Sequence, residues 1–279
     1  FNQVNAILNE YEIAYIKWDH NRVLTEPAHF GLPAVRKQVE AIYRMFDQLK
    51  SAHPGLEIES CASGGGRIDL GMIDHADRFW TSDNNDALDR QLIQRHTSIV
   101  IPPELLGTHI GPTKAHSSGR THSISFRAAT AIWGHAGLEW DLTSATDEEK
   151  VALKGFIDYF KRNRELLHRG TVVRVDASEP ESLTHGVVAK DFSRAIFAHV
   201  ALKSSPFSRP SNIRLAGLNS KSRYRVTVVE PAGAPTFTQL HGPRWTDGVE
   251  LAGDVLEKIG LRAPVLRPEQ ALLIEVHRI

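Results

Sequence analysis

Apolar positions recur at helical spacing over residues 1–12, where Val4, Ile7, Leu8 and Tyr11 fall on one side. The run Ile13 to Trp18 then reads as a buried strand. Helical period returns from Pro33 to Lys50, with Val35, Val39, Ile42, Tyr43, Phe46 and Leu49 on one face, and His53-Pro-Gly55 stops it. Leu56–Ser60, Arg78–Thr81, Ser98–Ile101 and Gly137–Leu142 are the next strand candidates. Helices are predicted over Asp86–Arg95, Ser125–Trp133 and Asp147–Leu167, the last with Val151, Leu153, Phe156, Ile157, Phe160 and Leu167 as its apolar face. Strand and helix alternate in this way only to about residue 170, which predicts an α/β arrangement with parallel strands.

The texture changes after Gly170. Thr171–Val175, Gly186–Ala189, Arg194–Leu202, Ile213–Leu218, Tyr224–Val229 and Ala271–Val276 are short β runs between Gly, Pro, Ser and Asn turns, with helical period nearly absent. An antiparallel all-β domain is therefore expected over 171–279, after an α/β part over 1–170. A closed eight-fold barrel needs about 200–250 residues. Five strand candidates in the first 170 residues make either an open sheet or one half of a barrel. The start on Phe1, inside a helix-like pattern, favours the second half of a barrel whose first half lies upstream. Such a piece alone would carry an unpaired sheet edge, so it is expected to be poorly soluble and inactive.

Charge removes some classes of function. Lys plus Arg equals Asp plus Glu at 33 each, so the basic footprint of a nucleic-acid binder is missing. No apolar run reaches transmembrane length, and no stretch has the layout of a secretory signal. The single cysteine, Cys61, allows no intramolecular disulfide and fits a reducing, cytoplasmic setting.

Candidate chemistry gathers at the ends of three successive strands. Asp19 closes the first. It shares strand parity with Lys17, opposite Trp18, so a cation and an acid project to one face. A neighbouring cation holds a carboxylate ionised, as a nucleophile requires; a strand-end salt bridge with an Asx turn is the alternative. Asn21 can add a hydrogen bond to a sugar hydroxyl. Asp83 follows Trp80 in Ser82-Asp-Asn-Asn-Asp86, where aromatic surface and a second acid suit a general acid. The same residues also suit a helix cap, with Asp86 and Asp89 on the N-terminal dipole. Between them, Cys61-Ala-Ser-Gly-Gly-Gly66-Arg67 lacks the ending of a phosphate loop, and its glycines allow close approach of backbone to a ligand, or simply a tight turn. Of the fourteen histidines, His109, His116, His122 and His135 cluster in sequence without metal-ligand spacing, so neither metal nor cofactor is expected. Trp18 and Trp80 adjoin the acids and could face a sugar.

Three ordered motifs, Lys17-Trp-Asp-His-Asn-Arg22, Cys61-Ala-Ser-Gly-Gly-Gly-Arg-Ile-Asp69 and Trp80-Thr-Ser-Asp-Asn-Asn-Asp86, resemble the signatures of glycoside hydrolase family 36 α-galactosidases in order and spacing. The likeness continues through Pro102-Pro-Glu-Leu-Leu-Gly-Thr-His109, Gly134-His-Ala-Gly-Leu-Glu139 and Tyr159-Phe-Lys-Arg-Asn-Arg164. The resemblance implies a retaining exo-α-galactosidase acting on short galactosides such as melibiose or raffinose. Asp19 would be the nucleophile and Asp83 the acid/base, with Lys17, Asn21, Cys61 and Ser63 lining the galactose pocket. It also implies a TIM barrel present as its C-terminal half, an antiparallel β-sandwich behind it, and a homo-oligomeric full-length enzyme. Ser63 departs from the Gly of many members, beside the sugar's 2-position. An α-N-acetylgalactosaminidase, a galactosyltransferase of the same family or, for this chain alone, a non-catalytic fragment are the other readings.

Overall fold

A computed structural model describes residues 1–22, 24–25, 27–176, 179–238 and 242–279. The chain divides into two compact units, one of residues 1–84 and 93–107, the other of 85–92 and 108–279.

The first unit opens with helix α1 (Asn2–Glu10) and strand β1 (Tyr15–Trp18), followed by a two-residue hairpin of β2 (Ala28–His29) and β3 (Leu32–Pro33). Helix α2 (Val35–Ala52) leads into β4 (Glu57–Ser60), and β5 (Arg78–Trp80) follows. After α3 (Ala87–Thr97), strand β6 (Leu106–Ile110) pairs beside β5. The pairings β1–β4, β4–β5 and β5–β6 are all parallel, and β6 runs on into the residues of the second unit, where β7 (His135–Leu138) is its neighbour. This is the open, half-barrel form of the predicted α/β sheet.

Strand parity separates the two faces. Ile16 and Trp18 of β1, Ile58 of β4, Phe79 of β5 and Leu106 of β6 share a core with Leu8 of α1 and Phe46 and Leu49 of α2. Trp18 meets Phe46 edge-on, with ring centroids 5.9 Å apart. The register Lys17↔Glu59 and Trp80↔Gly107 leaves Tyr15, Lys17, Glu57, Glu59, Arg78 and Trp80 on the other face. Strand β1 is the end of the sheet and only half covered, rather than the buried strand its apolar run predicts.

One predicted strand is displaced. Residues 98–101 are not extended: the amides of Ser98, Ile99, Val100 and Ile101 bond back to Gln94, His96, Thr97 and Thr97, continuing the coil of α3 as turns. Ile101 is fully buried, but Ile99 and Val100 are 70% and 60% exposed. The β-branched run is a helix ending. The strand itself is β6, hidden in sequence by Gly107 at its second position. Space around that glycine is tight: a Cβ there would lie 3.1 Å from Glu59 Oε2 and 3.2 Å from Trp80 Cε3.

The second unit holds α4 (Ile124–Ala131), the long helix α5 (Asp147–Arg169) and the antiparallel β part. Helix α5 begins in a capping box, Thr146 Oγ1 accepting from the Glu149 amide at 3.2 Å and Glu149 Oε2 from the Thr146 amide at 3.1 Å. Gly170 ends it where any Cβ would collide with Val187 Cγ1 at 2.4 Å. The antiparallel sheet comprises β8 (Thr171–Val175), β9 (Ser182–Val188), β10 (Arg194–Ala201), β11 (Arg223–Val229), β12 (Val249–Ala252) and β13 (Gln270–Arg278), in the order β12-β11-β13-β10-β9-β8. Both faces are buried, which is why β10 and β13 read as nearly continuous apolar runs. Ile196, Ala198, Val200, Ala271 and Leu273 pack with Phe126 of α4 and Phe156 of α5. Phe197, Leu272, Ile274 and Val276 pack with Leu215, Trp245, Leu261 and Leu256, the last on helix α6 (Gly253–Lys258). The layer on this second face is built from loops, α6 and the isolated bridges Ile213↔Leu261 and Phe237↔Leu266, so the predicted strand at 213–218 is reduced to one bridge.

Candidate active site

Three parallel neighbours, β1, β4 and β5, each run directly into a polar loop at their carboxyl ends: 19–22, 61–67 and 81–86. Asp19, Asn21, Ser63 and Asp83 are all exposed there. β1 and β5 are two strand spacings apart, about 10 Å.

Asp19 is gripped by short local donors. Asn21 Nδ2 donates to its Oδ2 at 2.7 Å, and Asn21 Oδ1 in turn accepts from the Ser63 amide at 2.7 Å and the Ser63 hydroxyl at 3.2 Å. Burial pushes the Asp19 carboxyl up, but hydrogen bonds from the Cys61 thiol, Asn21 and the amides of Ser63 and His20 outweigh it and leave the group below the usual carboxylate value. Cys61 is fully buried, and desolvation, followed by its bond to Asp19, lifts its pKa to about 11. It is therefore a protonated donor at neutral pH and no nucleophile. The expected role of Lys17 changes accordingly. Its ammonium lies 3.9 Å from Glu59 Oε1 and 4.3 Å from the centre of the Trp80 ring, while neutral donors hold Asp19 ionised.

Gly64 and Gly65 serve packing of the loops on each other, while Gly66 lets its own loop close on Ala62 O. A Cβ on Gly64 would stand 2.5 Å from Ser82 Cα and 2.8 Å from the Asp83 amide nitrogen, and one on Gly65 would stand 2.6 Å from Thr81 O. Gly64 also adopts φ +76°, and Ser63 before it φ +48°, a left-handed backbone that suits glycine better than serine. The glycine run thus lets the loop after β4 press against the end of β5. Arg67 locks the same loop from behind, donating to Trp18 O at 3.3 Å and Cys61 O at 2.9 Å.

Asp83 receives the Trp80 indole N–H on Oδ1 at 3.0 Å. It does not cap α3. That task falls to Asp86, whose Oδ1 accepts from the Leu88 and Asp89 amides at 2.9 and 3.0 Å. Asp86 is fully buried and also takes a bond from Ser118 and one from Arg120 Nε at 2.8 Å. The cap and the exposed acid are separate residues of one segment.

Trp80 is buried beneath Lys17, and Trp18 points to the helix side, so neither is an open aromatic platform. The histidines are dispersed: His109 meets Glu139 at 3.2 Å, His122 meets Glu269 at 3.1 Å, and His135 lies against His168 with the rings tilted. Among the described residues no group of three or more His, Cys, Asp or Glu gathers where a metal could be held, and no helix is long and apolar enough to cross a membrane. Sequence reasoning missed Glu59 and the buried role of Trp80. The only signal was the alternation Glu57-Ile-Glu59-Ser, which puts both acids on one face.

Exposed carboxylates at the carboxyl ends of parallel strands are the equipment of a barrel glycoside hydrolase. Residues 1–170 match the Melibiase family and residues 184–275 the glycosyl hydrolase family 36 C-terminal domain, and the chain belongs to glycoside hydrolase family 36. It is 40% identical over 278 residues to the α-galactosidase of Escherichia coli, covering 98% of this chain and 39% of that protein. It is 34% identical over 230 residues to α-galactosidase AgaA of Geobacillus stearothermophilus, covering 80% of this chain and 32% of that one. The crystal structure of AgaA superposes with a TM-score of 0.85 at 29% identity, over 100% of this chain and 37% of that one. Substituted forms of AgaA are solved in complex with raffinose and with stachyose, at TM-scores of 0.83 and 0.86. The chain thus spans less than two fifths of the length of these relatives.

Proposed function

We propose that the protein containing this chain is a retaining exo-α-galactosidase acting on short α-galactosides such as melibiose and raffinose. Residues 1–170 supply the second half of its catalytic barrel and 171–279 its C-terminal β domain. In the first step Asp19 attacks the anomeric carbon as the bond to the leaving oxygen breaks, and Asp83 gives that oxygen its proton. In the second, Asp83 takes a proton from water, which displaces Asp19 and releases galactose with its original configuration. Lys17, Asn21 and Ser63 face the sugar hydroxyls, and Cys61 supports Asp19 from beneath.

The observation that carries this reading is the state of Asp19: exposed at a strand end, held ionised chiefly by neutral donors, and in no salt bridge among the described residues. A nucleophile needs that combination. The test is hydrolysis of an aryl α-galactoside by the full-length protein, followed by proton NMR of the first sugar released. The α-anomer should appear first and equilibrate to β afterwards. Initial β-anomer, or preference for the 2-acetamido substrate, contradicts the proposal.

A further inference from the structure

Glu59 has no part in that mechanism, yet it stands at the centre of the polar face of β4. It is 1% exposed. The register places it directly opposite Lys17, and its Oε1 has the Lys17 ammonium at 3.9 Å and no hydrogen-bond donor in range among the described residues. Gly107 leaves room for its other oxygen and for the Trp80 ring alike. Tyr15 is its further neighbour: burial first, then the charge of Glu59 and a hydrogen bond to it, raise the Tyr15 pKa. A buried carboxylate with an underused oxygen costs stability, and an apolar side chain of similar size would serve packing at least as well. Its negative charge therefore has a use other than packing.

Lysine carries its ammonium on a flexible four-carbon stem, and at a strand end that stem is free unless something fixes it. Here two features fix it: the face of the buried Trp80 ring and the Glu59 carboxylate. Trp80 in turn spends its indole N–H on Asp83. We infer that Glu59 is a positioning residue, anchoring the Lys17 ammonium over Trp80 so that it meets the substrate from a fixed point. This rests on the reading of the strand ends as a galactoside site, because only there does a fixed ammonium serve the reaction.

The test is a double-mutant cycle in the full-length enzyme, with Glu59→Gln, Lys17→Met and both together, measuring kcat, KM and Tm on an aryl α-galactoside. Glu59→Gln should lower kcat/KM about tenfold in the natural background while leaving Tm close to the parent. In the Lys17→Met background the same change should cost nothing further. Equal losses in the two backgrounds, or no loss in either, overturn the inference. Should Glu59→Gln not fold, Glu59→Asp, which withdraws the charge by one methylene, takes its place in the cycle with the same expected coupling. Asp19→Ala with azide rescue separates the two levels. Full activity in that variant sinks the galactosidase reading, whereas lost coupling between positions 59 and 17 sinks only this inference.

Discussion

Asp19 and Asp86 are both carboxylates held below their ordinary pKa by hydrogen bonds, and they differ in exposure and in the partners that close them. Asp86 is sealed from solvent, caps α3 and is closed by Ser118 and the Arg120 guanidinium, which also reaches Asp89 at 2.5 Å. Burial pushes it up, and the hydrogen bonds and the nearby His122 and Arg120 charges pull it further down. Every lone pair is committed. Asp19 is exposed and is held by a thiol, an amide side chain and two backbone N–H groups, all neutral. Hydrogen bonding from neutral groups keeps an acid ionised without tying its charge to a cation. An acid sealed from solvent by its partners is structural, and one that is ionised yet exposed can attack.

If that contrast is right, the largest effect belongs to Asp19. Asp19→Ala in the full-length enzyme should cut kcat by about 10⁴-fold or more, and azide should restore a slow reaction yielding β-galactosyl azide. Activity assay and NMR of the azide product check it; near-normal turnover would remove the assignment. Next comes Asp83→Ala. It should slow natural galactosides by roughly 10²–10⁴-fold, and aryl galactosides with good leaving groups far less, because the latter scarcely need a proton. A loss independent of leaving group would deny Asp83 the acid role.

Asp86→Ala should act on stability instead of chemistry. Losing the cap and leaving Arg120 without its buried partner should cost about 2–4 kcal/mol, read as a lower urea midpoint. Asp86 sits lower in the folded than in the unfolded chain. Its stabilisation is therefore full above the ordinary carboxylate range and disappears as pH falls through the folded value. Asp86→Asn should accordingly flatten the acid branch of the stability curve. The smallest effect is expected from Cys61→Ala. Removing one neutral donor lets the Asp19 pKa rise, so the acid limb of kcat/KM should move to higher pH with only a few-fold loss at neutrality. An unmoved limb would mean the thiol does not contribute.

The alternation of elements, the change of texture near residue 170 and the three strand-end loops were legible because each depends on local pattern. What escaped depends on neighbours distant in sequence. β6 was hidden because Gly107 weakens the strand signal, and only the contacts with Glu59 and Trp80 explain that glycine. Ser98–Ile101 reads as a strand by composition, but hydrogen bonds from the end of α3 claim its amides first. The pairing of Lys17 with Glu59 follows from register across forty-two positions, which the sequence does not display. The acids at 19 and 83 could be picked out, but which of Asp83 and Asp86 caps the helix required the geometry of the cap itself.

The most direct test of the central claim is to trap the nucleophile. The full-length enzyme would be incubated with a slow fluorinated α-galactosyl fluoride, digested, and its peptides weighed by mass spectrometry. One fluorogalactosyl adduct is expected, formed as the anomeric fluoride leaves, on the peptide carrying Asp19 and at that carboxylate. A covalent adduct on any other residue would contradict it.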